Sequence, residues 1–188
     1  MSASPGQIVL FTGGARSGKS RRAEQFAARL ARPVTYIATA EAGDDEMRQR
    51  IAAHRAQRPA VWATVEAPLA VAPAMRALPL GSVVLLDCLS LLTTNLLLAH
   101  ENDPEPAVML EVAALLAVAR ERNLTLIVVT NEVGQGVVPA YPLGRVYRDL
   151  LGWANQRVAA EADTVYLVVV GIPVELKALE AAWAKDTR

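Results

Sequence analysis

The chain has 188 residues, 53% of them hydrophobic and 20% charged, which fits a single globular domain with a sizeable core rather than a disordered or fibrous chain. Its 19 lysines and arginines balance 19 acids, leaving no net positive field to hold nucleic acid. The single cysteine, Cys88, excludes an internal disulfide, and two histidines, His54 and His100, are too few for a Cys/His zinc cage.

The leader from Met1 to Gln7 lacks the basic region of a signal peptide, and no apolar run reaches bilayer length. The expected setting is therefore the reducing cytoplasm, without membrane insertion.

Along the chain, short β-branched runs alternate with longer stripes of helical period, which is the pattern of an α/β fold with helices on both faces of a mostly parallel sheet. The expected strands are Ile8 to Phe11, Val34 to Ala38, Val83 to Leu86, Leu124 to Thr130 and Thr164 to Val170, with Val61 to Val65 as a weaker edge strand. Helical spacing predicts Ser20 to Ala31, Asp45 to Gln57, Ala107 to Arg122 and Arg145 to Ala162, and another helix starting near Ser90. Three prolines between Ala67 and Leu80 allow only a short helix there, and Glu101 to Pro106 reads as a loop. The tail from Glu175 to Arg188 is expected to form a terminal amphipathic helix on Leu176, Leu179 and Trp183 that docks on the domain.

The first strand runs into Gly13-Gly14-Ala15-Arg16-Ser17-Gly18-Lys19-Ser20, which satisfies G-x-x-x-x-G-K-[ST] between a strand and a helix, as the phosphate-binding loop requires. Glycines let the backbone curl until its N–H groups face phosphate oxygens, and the helix N-terminus adds a favourable dipole. Lys19 then reaches the β- and γ-phosphates, and the Ser20 hydroxyl is a ligand for Mg²⁺. A second metal carboxylate belongs at the tip of another parallel strand, where Val83-Val84-Leu85-Leu86 ends in Asp87. Asp87 is alternatively the N-cap of the next helix.

These motifs give a P-loop NTPase fold, which hosts many activities. The only lysines are Lys19, Lys177 and Lys185, so the Asn-Lys-x-Asp guanine motif of switch GTPases is absent. Shortness and neutrality argue against a motor that grips nucleic acid, leaving a small-molecule transferase.

Between Glu41 and Arg58, acids give way to bases in a way that a solvated helix explains. His54 is different, because Met47, Ile51 and His54 share one helical face, with Arg55 and Arg58 nearby. The residues alone leave it either a buried helix-face histidine or a phosphorus nucleophile flanked by phosphate-neutralising arginines.

Beyond the P-loop, several further blocks stand in order: Tyr36-Ile37-Ala38-Thr39-Ala40, Asp44 to Met47, His54-Arg55, Arg58-Pro59, Trp62 and Glu66. They continue through Asp87-Cys88-Leu89, Thr94 to Leu97, Thr130 to Gly134, Arg148-Asp149 and Asn155-Gln156. Together they make the chain resemble the bifunctional adenosylcobinamide kinase / adenosylcobinamide-phosphate guanylyltransferase family of cobalamin biosynthesis. The resemblance implies a RecA-like three-layer fold with one antiparallel strand, and two reactions. Adenosylcobinamide is phosphorylated with ATP or GTP; GMP then passes from GTP to that phosphate, releasing pyrophosphate. It further implies that His54 is the guanylylated residue, with Ala53 rather than a second histidine before it. Ala38, Thr39, Ala40, Arg55, Ala56, Gln57, Arg58, Glu66 and Asp87 become nucleotide contacts. Asn131-Glu132, at the tip of the Leu124 to Thr130 strand, stands where such sheets place active-site loops and is expected to serve the corrinoid side. A homotrimer with shared sites is implied too. The rivals are a single-activity P-loop kinase in which His54 is structural, and a nucleotide-binding regulator without turnover.

Overall fold

The computed structural model describes residues 6–40, 45, 48 and 58–185. Among these residues, seven strands form one sheet: β1 (Ile8–Thr12), β2 (Val34–Ala38), β3 (Ala63–Glu66), β4 (Val83–Asp87), β5 (Thr125–Val129), β6 (Thr164–Val169) and β7 (Ile172–Glu175), in the order β3-β2-β4-β5-β1-β6-β7. All neighbours pair in parallel except β6 with β7. The antiparallel strand is the one the family resemblance implied.

The helices are α1 (Lys19–Arg29), α2 (Val71–Arg76), α3 (Leu89–Ala99), α4 (Pro104–Glu121), α5 (Pro142–Glu161) and the short α6 (Ala182–Lys185). Strands β1, β4 and β5 are buried almost throughout, as central strands of a sheet covered on both faces must be. Alternation divides their side chains between two cores. Ile8, Leu10, Val84, Leu86, Leu126 and Val128 pack with α2 to α5. Val9, Phe11, Val83, Leu85, Ile127 and Val129 pack with Ala23 and Ala27 of α1, whose small side chains let that helix lie close to the sheet. Helix, sheet and helix give the expected three layers.

The strands lie within a few residues of expectation, but two segments do not follow it. The stretch Glu101 to Pro106 is not wholly a loop, because α4 begins at Pro104. A proline in the first turn has no hydrogen-bonding duty to miss. The tail is not one amphipathic helix either. Gly171, at φ 81°, turns the chain back as β7, a 3₁₀ turn follows at Lys177–Leu179, and Leu179 and Trp183 are 70% and 76% exposed. Of the helix expected over Asp45 to Gln57, only Asp45 and Arg48 are described; both are helical and form an exposed ion pair. Among the described residues, no helix is long and apolar enough to cross a membrane.

Candidate active site

The phosphate loop fills the turn between β1 and α1, and its glycines are placed by contact as well as by conformation. At Gly13, φ is 150° and an added Cβ would lie 2.5 Å from the Val168 carbonyl oxygen. Gly18 takes φ 92° as the N-cap of α1. Gly14, Ala15 and Arg16 are exposed, and nothing lies within 4 Å of where a Cβ on Gly14 would be, so the mouth of the loop is open. Its rear is closed by the β6–β7 turn: the Gly171 amide donates to the Ser17 carbonyl at 2.8 Å, and Arg22 Nε donates to the Gly171 carbonyl at 2.6 Å.

Lys19 is only 9% exposed and folds back to donate from Nζ to the Gly14 carbonyl at 3.1 Å. Burial lowers its pKa from the ordinary lysine value, with the neighbouring Cys88 and Asp87 acting in the opposite sense. The ammonium is thus held in a poorly solvated place, where an arriving phosphate would compensate it.

Register assembles the rest. Ala38 of β2 lies opposite Glu66 of β3 on one side and Asp87 of β4 on the other, and Asp87 lies opposite Val129 of β5. Directly paired residues share a face, and this face is the one that α1 covers. Asp87, Ala38 and Glu66 therefore line the carboxyl end of the sheet on the side of the phosphate loop, the crevice in which open α/β sheets bind ligands. Asp87 does not cap α3, because the N-cap position is Cys88 and no side chain caps that helix.

Instead, one Asp87 carboxylate oxygen accepts a hydrogen bond from the Tyr36 hydroxyl at 2.9 Å. The Tyr36 ring carries the Arg58 guanidinium, whose Cζ is 3.4 Å from the ring centroid, close enough for a cation–π contact. Burial and Asp87 both raise the Tyr36 pKa, so the phenol is a neutral donor.

The Ser20 hydroxyl and the free oxygen of Asp87 are hard oxygen donors, the kind Mg²⁺ takes alongside substrate phosphates and water. Among the described residues, no group of three or more His, Cys, Asp or Glu gathers into an all-protein metal cage. The donor set fits a metal that arrives with its nucleotide.

Other residues expected at the site hold it together. Thr39 is fully buried, and its hydroxyl both donates to the Cys88 carbonyl and accepts from the Cys88 amide, each at 2.8 Å. Its side chain ties the end of β2 to the residue that follows β4. Asn95 of α3 donates to the Thr39 and Pro68 carbonyls at 2.8 and 2.9 Å. On the β5 side, Asn131 donates to Ser90 Oγ, Asn155 donates to the Asn131 carbonyl and Thr130 donates to Asn155. The Glu132 amide donates to the Gly13 carbonyl, and its carboxylate accepts from the Gly134 amide. Burial pushes the Cys88 thiol up to about 11, so it is not a nucleophile at neutral pH. His54, Arg55, Ala56 and Gln57 lie outside the described residues, and Arg58 is the first described residue after them.

The role of Tyr36 was missed by sequence reading because an aromatic in an apolar strand looks like core. Only its parity with Asp87, two positions beyond the facing Leu85, hints that its hydroxyl reaches the carboxylate.

The model of the CobU family, described as "Cobinamide kinase / cobinamide phosphate guanyltransferase", matches residues 9–176. The bifunctional adenosylcobalamin biosynthesis protein CobP of Pseudomonas aeruginosa is 49% identical over 169 residues, covering 89% of this chain and 96% of its own. CobU proteins of Salmonella typhimurium and Escherichia coli, carrying the same description, are 44% and 41% identical, each over 90% of this chain and 99% of theirs. Among solved structures, an ATPase of a bacterial type III secretion system superposes with a TM-score of 0.57 at 13% identity, over 96% of this chain and 60% of that one. That likeness concerns the fold alone.

Proposed function

This chain belongs to the cobinamide kinase / cobinamide phosphate guanyltransferase family, and we propose from that premise how its residues divide the two reactions. It is a bifunctional enzyme that phosphorylates adenosylcobinamide and then guanylylates the product. The observation that carries the division of labour is the convergence of the phosphate loop, buried Lys19 and Asp87 at the end of the sheet where Arg58 leaves the segment bearing His54.

In this reading the loop amides and Lys19 hold a triphosphate of ATP or GTP, and Ser20 and Asp87 would hold Mg²⁺, which neutralises phosphate charge when bound. For the kinase step, the corrinoid hydroxyl oxygen attacks the γ-phosphorus and loses its proton to solvent, the bond from that phosphorus to the β–γ bridging oxygen breaks, the nucleoside diphosphate leaves, and Lys19 stabilises the charge that builds on the transferring group. For guanylyl transfer, a His54 ring nitrogen attacks the α-phosphorus of GTP; the P–N bond forms as the bond to the bridging oxygen breaks and pyrophosphate leaves. An oxygen of the corrinoid phosphate then attacks the same phosphorus, the P–N bond breaks, and the GMP-bearing product is released. Arg58 and, within the undescribed segment, Arg55 would balance phosphate charge, while Ala38, Ala40, Ala56, Gln57 and Glu66 would border the nucleotide. We assign the whole chain to one catalytic domain of the cytoplasm, working as a homotrimer.

The test is product analysis. His54→Asn is expected to convert adenosylcobinamide to its phosphate and stop there, whereas Ser20→Ala and Asp87→Asn impair both steps. Loss of both activities in His54→Asn, with nucleotide affinity and circular dichroism intact, would overturn the separation of roles.

A further inference from the structure

We propose that Tyr36 is a positioning residue joining the two halves of this site: its hydroxyl orients the Asp87 carboxylate for the metal, and its ring seats Arg58 at the end of the His54 segment. The inference rests on the roles given above to Asp87, Arg58 and His54.

Tyr36 is 3% exposed, in the middle of a buried strand. Phenylalanine would fill that volume equally well, so what tyrosine adds is the hydroxyl, a polar group that must find a partner when buried. The partner is one oxygen of Asp87 at 2.9 Å. A hydrogen bond to one carboxylate oxygen restrains the rotamer and leaves the other oxygen for the metal, with Lys19 near enough to feel the Asp87 charge. Metal sites depend on such outer partners.

The second contact is independent of the hydroxyl. The Arg58 Cζ lies 3.4 Å from the ring centroid, and His54 stands four positions before it in the chain. A single rigid aromatic thus touches both the carboxylate assigned to the metal and the arginine that follows His54 in the chain. A substitution can remove either contact alone, because one uses the oxygen and the other the π face.

The experiment compares Tyr36→Phe, Tyr36→Leu and Asp87→Asn in the full chain. Mn²⁺ affinity is read by electron paramagnetic resonance with the α,β-methylene analogue of GTP bound, and His54 labelling is timed with α-labelled GTP at saturating Mg²⁺. Tyr36→Phe is expected to weaken Mn²⁺ binding roughly tenfold, to leave metal-free nucleotide affinity as it was, and to label at the native rate once Mg²⁺ saturates. Tyr36→Leu is expected to show the same metal defect and, in addition, labelling slower by roughly tenfold at saturating Mg²⁺. If Asp87→Asn weakens Mn²⁺ binding but Tyr36→Phe does not, the role of Tyr36 is wrong and the assignment of Asp87 stands. If Asp87→Asn also binds Mn²⁺ normally, the metal carboxylate itself is misassigned and the proposal falls with it. Labelling in Tyr36→Leu as fast as in Tyr36→Phe would remove the Arg58 half. Should Tyr36→Leu fail to fold, Tyr36→Met, which fills much of the volume without an aromatic face, takes its place in comparison with Tyr36→Phe: slower labelling supports the seat, and equal labelling removes it.

Discussion

Gly18 and Gly171 meet backbone to backbone: a Cβ added to Gly18 would lie 3.3 Å from the Gly171 Cα, and the Gly171 amide holds the Ser17 carbonyl at 2.8 Å. The turn that sends β7 back along β6 is therefore also the rear wall of the phosphate loop. A side chain at Gly18 meets both a positive φ and a backbone that cannot swing away. Gly18→Ala is expected to destabilise the fold by about 1–3 kcal/mol and to weaken nucleotide binding more than it slows the bound complex. Urea denaturation and nucleotide titration of the same variant check both.

Lys19 sets function against stability. Its lowered folded pKa means that between that value and the ordinary 10.5 the unfolded chain binds more protons, so stability rises with pH across that window. Below the window, keeping the buried ammonium charged is a constant cost. Lys19→Met removes that cost and is expected to raise Tm by about 1–3 °C at neutral pH, a gain that shrinks as pH rises through the window and is gone above pH 10.5. Phosphoryl transfer is expected to fall by about 10²–10³-fold. Thermal scans at several pH values, beside single-turnover kinase assays, separate the two effects.

Thr39 is a strut whose hydroxyl satisfies both backbone groups of Cys88. Thr39→Val keeps the shape and strands a buried amide and carbonyl, which is expected to cost about 1–3 kcal/mol. Thr39→Ser retains both bonds and is expected to stay close to the native stability. Chemical denaturation of the pair distinguishes lost hydrogen bonds from lost packing.

Much of this site was legible because its parts are local. Gly13 to Ser20 carries loop, lysine and hydroxyl in eight consecutive residues, and Asp87 ends an unmistakable apolar strand. What escaped was pairing over distance: Tyr36 with Asp87, Thr39 with Cys88 and Asn95 with Pro68 are separated by 51, 49 and 27 residues. The register of the sheet brings the first two pairs together, and Asn95 reaches Pro68 from α3. The tail was misread because Leu176, Leu179 and Trp183 fall at helical spacing, whereas Gly171 supplies a positive φ that turns the chain into a strand first. Pro104 and Pro106 looked like loop residues because proline breaks helix interiors, yet both sit in the first turn, where it is tolerated. His54 stood out only through its place on an apolar helical stripe, and its role came from the family resemblance.

The central claim is that one histidine carries GMP between GTP and the corrinoid phosphate. Its most direct test is to incubate the protein with α-labelled GTP and Mg²⁺, without corrinoid, and to map the labelled peptide. Near-stoichiometric label is expected on the peptide containing His54, stable to alkali and labile to acid as a phosphoramidate is, discharged by adenosylcobinamide phosphate, and absent from His54→Ala. Stoichiometric labelling of His54→Ala, or guanylyl transfer by the native protein with no covalent label on His54, would contradict it.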